Sequence, residues 1–157
     1  MTDAGAAPTP STTTVALGAD HAGFELKDLI ATHLAAQGYA LVDLGTNSGD
    51  RVDYPDYGAA VGRAVASGEA DLGVAVCGSG LGICMAANKI HGIRAAAVHD
   101  VTSARLTREH NDANVICLGE RLIGPSVALD AVDAFLTATF EGGRHQARVE
   151  KLDALTD

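Results

Sequence analysis

The chain has 157 residues, enough for one domain with a proper core and too few for two comfortable ones. Apolar residues make up 47% and charged ones 20%, the balance of an ordinary globular protein, while a net charge of −9 excludes nucleic acid as the main partner because phosphate backbones are bound by basic surfaces. Aromatics are only 4% with no Trp, so the core must be built from Ala, Val, Leu and Ile.

Residues 1–14 are rich in Ala, Pro, Ser and Thr, without a basic region or an apolar run, and read as a disordered extension rather than a signal peptide. A single domain over residues 15–157 follows. Its first strand is predicted at 15–19, and a helix at 24–37 carries Leu26, Leu29, Ile30 and Leu34 at helical spacing with Gly38 as its stop. The second strand is predicted at 39–44. A loop through Asp53-Tyr54-Pro55-Asp56 then opens a helix with Tyr57, Ala60, Val61, Ala64 and Val65 on one face, closed by Gly68.

The run Leu72-Gly73-Val74-Ala75-Val76 reads as a fully buried third strand, and after a glycine turn a helix is predicted at 83–89. Strands at 93–98 and 114–118 are separated by a helix at about 102–110. A long helix at 126–139 carries Val127, Ala131, Phe135 and Leu136, and a final helix follows Gly142-Gly143. Strands that are apolar without alternation, joined by helices, predict an α/β fold in three layers, its parallel sheet covered on both faces. Ligands of such sheets sit beyond the carboxyl ends of the strands, where the strand order reverses.

The residues that follow each predicted strand are therefore the candidates for chemistry. After the third strand comes Cys77-Gly78-Ser79-Gly80-Leu81-Gly82, a nucleophile-grade side chain in a turn of alternating glycines. Those glycines let the backbone approach a ligand, with N–H groups free to point at an anion, and the following helix turns its positive end toward the thiol. Asp20-His21-Ala22-Gly23 follows the first strand, His99-Asp100 the fourth and Gly119-Glu120-Arg121 the fifth. The helix before the fifth strand ends in Arg108-Glu109-His110-Asn111-Asp112. The segment Gly142-Gly143-Arg144-His145-Gln146-Ala147-Arg148 places two arginines four apart, on one face if helical. An acidic protein that binds an anion must concentrate its few arginines, and a phosphate dianion suits such a pair.

Each candidate also has a plainer role. Cys77 can be a small buried hydrophobe, Asp20 a helix cap, His21 a polar turn residue and His110 a partner of its helix dipole. Arg144 and Arg148 can pair with Glu141 and Glu150, and Asp53 and Pro55 are ordinary helix-start residues, which leaves Tyr54 as the odd member there. Cys84, Cys117, His33 and His91 are read as structural. Clustering of the stronger candidates on one rim favours function. Gly78-x-Gly80 with Asp100 imitates half of a dinucleotide-binding fingerprint, but Ile83 stands at the third glycine position and the turn follows the wrong strand. No H-x-x-x-H, C-x-x-C or carboxylate cluster has metal-ligand spacing. Three cysteines without such a pair point to a reducing, cytoplasmic compartment, and no apolar run reaches the roughly 18 residues of a membrane span.

Taken together, the segments at 18–23, 53–55, 77–82, 86–89, 108–112 and 142–146 resemble the type B ribose-5-phosphate isomerases, in a wider family that includes subunits of galactose-6-phosphate isomerase. The likeness runs from Val15 to about Leu155. It implies a Rossmann-like sheet of strand order 2-1-3-5-4 and a homodimer, sometimes paired into a tetramer, with shared active sites. The last helix, about 144–155, would pack on the partner subunit. It also implies interconversion of ribose 5-phosphate and ribulose 5-phosphate without metal or other cofactor. By resemblance to the cysteine-bearing branch, Cys77 is the base; the branch with glutamate at the position of Ile83 is excluded. Ser79 and the amides of Gly78, Gly80, Leu81 and Gly82 would hold the enediolate, and His110 would open the sugar ring. Asp20, His21, Tyr54 and Asn111 would contact the sugar, and Arg121, Arg144 and Arg148 the phosphate. The alternatives are an isomerase of a tetrose, allose or galactose phosphate, or a non-catalytic module for phosphosugars or nucleotides.

Overall fold

A computed structural model describes residues 9–155. Of the extension expected over 1–14, residues 1–8 lie outside the described residues; Thr9 to Thr12 form a turn, Thr13 is buried, and Thr14 already belongs to the first strand. In chain order the elements are β1 (Thr14–Ala19), α1 (Phe24–Gln37), β2 (Ala40–Asp43), α2 (Tyr54–Ala66), β3 (Leu72–Cys77) and α3 (Leu81–Asn88). They continue as β4 (Ala95–Ala97), α4 (Val101–Asn111), β5 (Val115–Gly119), α5 (Pro125–Thr137), a 3-10 turn (Gly143–His145) and α6 (Gln146–Asp153). Among the described residues no helix is long and apolar enough to cross a membrane.

The sheet is parallel throughout and runs β2-β1-β3-β5-β4, the order implied by the resemblance. Successive side chains of a strand point to opposite faces, and the two faces here differ in size. Val15, Leu17, Val74, Val76, Ile116 and Leu118 face α1, α4 and α5, where Ile30, Leu34, Phe135 and Leu136 are fully buried. Ala16, Ala75, Cys77 and Cys117 face α2 and α3, against Val61, Ile83 and Ala87. Each large side chain so buried contributes about 1.5–3 kcal/mol, which lets a core with few aromatics hold.

The register fixes what stands on the carboxyl rim. Ala19 pairs with Val76 and Cys77 with Gly119, so Asp20, Cys77 and Glu120-Arg121 emerge side by side at the point where β1 and β3 part. An ion cluster around one buried lysine braces this corner. Lys27, fully buried in α1, places Nζ 2.8 Å from both carboxylate oxygens of Asp43 and 3.1 Å from Asn47 Oδ1. Asp43 Oδ1 in turn accepts the Gly45 N–H at 2.9 Å, and the carbonyl of Gly45 accepts the N–H of Ala19.

Several expected boundaries shift. Helix α3 starts at Leu81 rather than 83, because Gly82 is carried inside its first turn. Strand β4 shortens to Ala95–Ala97, the residues that stand in register with β5 at the edge of the sheet. The last helix starts at Gln146, so Arg144 lies in the preceding 3-10 turn and does not share one continuous α-helix with Arg148. Within its own chain α6 is tied by Asp153, which accepts from Arg94 at 2.9 Å, and by buried Val149.

Candidate active site

Cys77 is the last residue of β3, and its side chain, 4% exposed, forms the floor of a hollow of about 320 Å³. Its Sγ accepts the Gly80 N–H at 3.1 Å, a contact that strengthens when the sulfur carries negative charge. Gly80 reaches that position with φ 75°, and a Cβ there would lie 2.8 Å from the carbonyl carbon of Leu118. The Leu81 N–H is turned onto Ser79 Oγ at 3.3 Å. Of the amides expected to face a ligand, those of Gly80 and Leu81 are thus engaged by the site's own side chains, while Gly78 and Gly82 line the hollow itself.

Around the floor stand Asp20, His21, Tyr54 and Arg121. Asp20 is not the cap of α1; that place belongs to Gly23, and the Asp20 Oδ1 accepts the Ala22 N–H at 2.9 Å within its own turn. His21 Nδ1 lies 3.1 Å from the carbonyl of Val52 and 3.3 Å from its N–H, which leaves Nε2 as the ring nitrogen for a ligand. Tyr54 opens α2 and lays its ring on Gly82, where a Cβ would come within 2.6 Å of Cζ. Arg121 is drawn in by its backbone N–H, which donates to the carbonyl of Gly78 at 3.0 Å. Ala22 and Leu122 complete the wall; neither carries a sequence signal, since their place follows from the turns that hold Asp20 and Arg121.

A second group lies apart from this hollow. His110 and Asn111 end α4, Arg144 sits in the 3-10 turn and Arg148 in α6, and none of them lines the Cys77 hollow. Asn111 instead borders a hollow of about 420 Å³ beside β4 and α6, and its carbonyl accepts from Arg94 Nε at 3.2 Å. The rings of His110 and His145 stack with centroids 4.3 Å apart. Among the described residues neither Arg144 nor Arg148 is in an ion pair, so the expected alternative of pairing with Glu141 and Glu150 is not realised. Burial pushes the His145 imidazole below its usual range, with His110, Arg144 and Arg148 acting the same way and Glu141 opposing.

The plainer readings hold where they were made for supporting residues. His33 meets Asp133 at 2.8 Å. Asp100 caps α4, accepting the Ser103 N–H at 2.7 Å. Cys117 is fully buried, and its contact with Cys84 together with burial pushes its thiol well up.

The hollow at the switch point of this Rossmann-like sheet is lined by Cys77, Asp20, His21, Ser79 and Arg121, and residues 15–152 match the profile of the family described as Ribose/Galactose Isomerase. The chain belongs to that family. It is 50% identical over 141 residues to the ribose-5-phosphate isomerase B of Escherichia coli strain K12, covering 90% of this chain and 95% of that one. Among solved structures it is similar to the ribose-5-phosphate isomerase B of Clostridium thermocellum, with a TM-score of 0.89 and 51% identity over 90% of this chain and 96% of that one. The Mycoplasma genitalium ribose-5-phosphate isomerase B, solved with bound ribulose-5-phosphate, superposes with a TM-score of 0.87 at 42% identity, over 92% and 96% of the two chains.

Proposed function

We propose that this chain interconverts ribose 5-phosphate and ribulose 5-phosphate by proton transfer through an enediolate, and that a homodimer completes its active site. The observation that carries the reading is the Cys77 sulfur, held by the Gly80 N–H at the floor of a hollow bordered by Asp20, His21 and Arg121. Opening the furanose breaks the C1–O4 bond: a proton arrives at O4, another leaves the O1 hydroxyl, and C1 becomes an aldehyde. That task belongs to His110, since an imidazole can both donate and accept a proton. Cys77 as thiolate then takes the proton from C2 and returns it to C1, while O1 gains a proton and O2 loses one. The Ser79 hydroxyl, its oxygen already accepting from Leu81, donates to the enediolate, where one preorganised donor is worth about 3–4 kcal/mol.

Asp20 and His21 orient the sugar hydroxyls, with Tyr54 as a wall. Arg121 grips the phosphate together with Arg144 and Arg148, which, with His110 and Asn111, come from the partner subunit. Two half-sites, each coherent and neither sufficient, support this division. Pinning the distant phosphate holds the reacting carbons in register, so remote binding energy serves turnover. Three cysteines without a disulfide agree with a cytoplasmic setting.

The test is Cys77→Ala offered ribose 5-phosphate in deuterated water. Turnover and deuterium incorporation at C1 and C2 should both fall by at least about a hundredfold, with sugar phosphate still bound. Wild-type turnover in that variant would overturn the base assignment. A substrate panel of ribose, allose, galactose and erythrose phosphates should favour the pentose, and binding with no proton exchange on any of them would indicate a non-catalytic module.

A further inference from the structure

His145 has no part in the chemistry just described, yet it is among the most enclosed polar residues of the chain. Its side chain is 8% exposed, and its Nε2 is buried with no hydrogen-bond partner. The ring lies against His110 with centroids 4.3 Å apart and an interplanar angle of 12°. Glu141 stands at the edge of the stack, with Oε2 3.5 Å from Nε2 of His145 and 3.9 Å from Nε2 of His110.

The local chain is built to bring these groups together. The N–H of Glu141 donates to the carbonyl of Glu109 at 2.9 Å, which staples the segment to the residue beside His110. Gly142 and Gly143 then turn with φ of 61° and 51°, and the His145 N–H closes on the Gly142 carbonyl at 2.9 Å. The reversal lays the ring of His145 back over α4.

The trio outlines a metal site, since its ligand atoms all lie within 4.8 Å of one another. The stacking argues otherwise. Lone pairs lie in the ring planes, and nearly parallel rings send them side by side rather than toward one ion. Parallel rings do fix each other's planes.

We propose that His145, with Glu141 at its edge, is the positioning residue for the ring-opening imidazole of His110. It acts as a flat, buried plate that sets the His110 ring plane. The inference rests on the ring-opening role given to His110 above. His110 itself keeps about a third of its side chain exposed, at 34%, so without the plate its ring would be free to rotate. Burial and the neighbouring His110, Arg144 and Arg148 hold the His145 imidazole below its usual range against the opposing Glu141. That direction favours the neutral ring, which suits stacking on an imidazole that must gain and lose a proton.

Ring opening can be read apart from isomerisation, because the cyclic anomers of ribose 5-phosphate interconvert only through the open aldehyde. Anomer exchange is measured by magnetisation transfer with the Cys77→Ala protein, alone and with each further change. His145→Leu keeps the buried volume and removes the flat ring, and His145→Phe restores a flat ring without nitrogens. In the otherwise wild-type enzyme, His145→Leu should lower kcat about tenfold with KM within about twofold, part of the range open to a general acid–base group. Anomer exchange should fall by the same factor, and His145→Phe should recover most of both. A rise in KM with kcat unchanged would overturn the proposal, placing His145 in the phosphate grip. So would a fall in kcat with anomer exchange intact, or a Phe variant as impaired as the Leu one. Should His145→Leu fail to fold, Glu141→Gln at the exposed edge should still lower anomer exchange, and unchanged exchange there would overturn the proposal. Anomer exchange that survives His110→Ala would remove the ring-opening reading itself, and is distinguished by that variant alone.

Discussion

At Gly80 one backbone angle serves both structure and chemistry. Its positive φ turns the N–H onto the Cys77 sulfur, and a Cβ would press on the Leu118 carbonyl carbon at 2.8 Å. Gly80→Ala must therefore either strain the turn, at about 1–3 kcal/mol, or swing the amide off the sulfur. The expected outcome is a kcat at least about tenfold lower with circular dichroism unchanged, checked by steady-state kinetics beside a thermal melt. An active Gly80→Ala enzyme would show that the amide contact is dispensable. This much was legible in the sequence, because alternating glycines around a cysteine have few structural uses. What was not legible is the direction of each amide. The N–H groups of Gly80 and Leu81 turn onto Cys77 Sγ and Ser79 Oγ, and the positive φ of Gly80 sets the first of these contacts.

Between elements, the decisive contact is one whose value composition cannot reveal. Lys27 is a charged residue of α1, yet it is fully buried and bridges α1 to the end of β2 through Asp43. Asp43 holds Gly45, and Gly45 holds Ala19, the residue before Asp20. Lys27→Met keeps the length of the side chain and removes the charge. With Asp43 itself 38% exposed, water takes up part of the loss, and the expected destabilisation is about 1–3 kcal/mol, read as a lower urea midpoint. KM for the sugar phosphate should rise as well, because the turn that carries Asp20 and His21 loses its brace. Strands and helices were otherwise readable from unbroken apolar runs and helical spacing. The misses have two causes: tertiary pairing ended β4 early, and Gly142-Gly143 imposed a 3-10 turn before α6. The placement of Arg144 depends on that turn, so the face it shares with Arg148 could not be read from a spacing of four.

For the whole molecule, the proposed sharing of the site between two copies sets the strongest test. Cys77 with Asp20, His21 and Arg121 lies at one rim, while His110 at the end of α4, Arg144 in the 3-10 turn and Arg148 in α6 lie outside that hollow. The sequence set Asp20, His21, Cys77 and Arg121 after strands and His110, Arg144 and Arg148 at helix ends. It could not say whether they meet within one copy, because a single chain pattern holds no information on what a second copy would contribute. Exposed Leu81 and Met85 on α3, beside Tyr54 and Leu122, give that rim an apolar border of the kind a second copy covers. Cys77→Ala and His110→Ala should each be inactive alone. In a mixed dimer, one site inherits both lesions and the other neither. Random reassortment makes about half the dimers mixed, so about a quarter of wild-type sites should return. The measurement is turnover after the two variants are unfolded together and refolded, against each refolded alone. Were His110 to act on the Cys77 of its own chain, every site in the mixture would carry one lesion, and no activity would reappear.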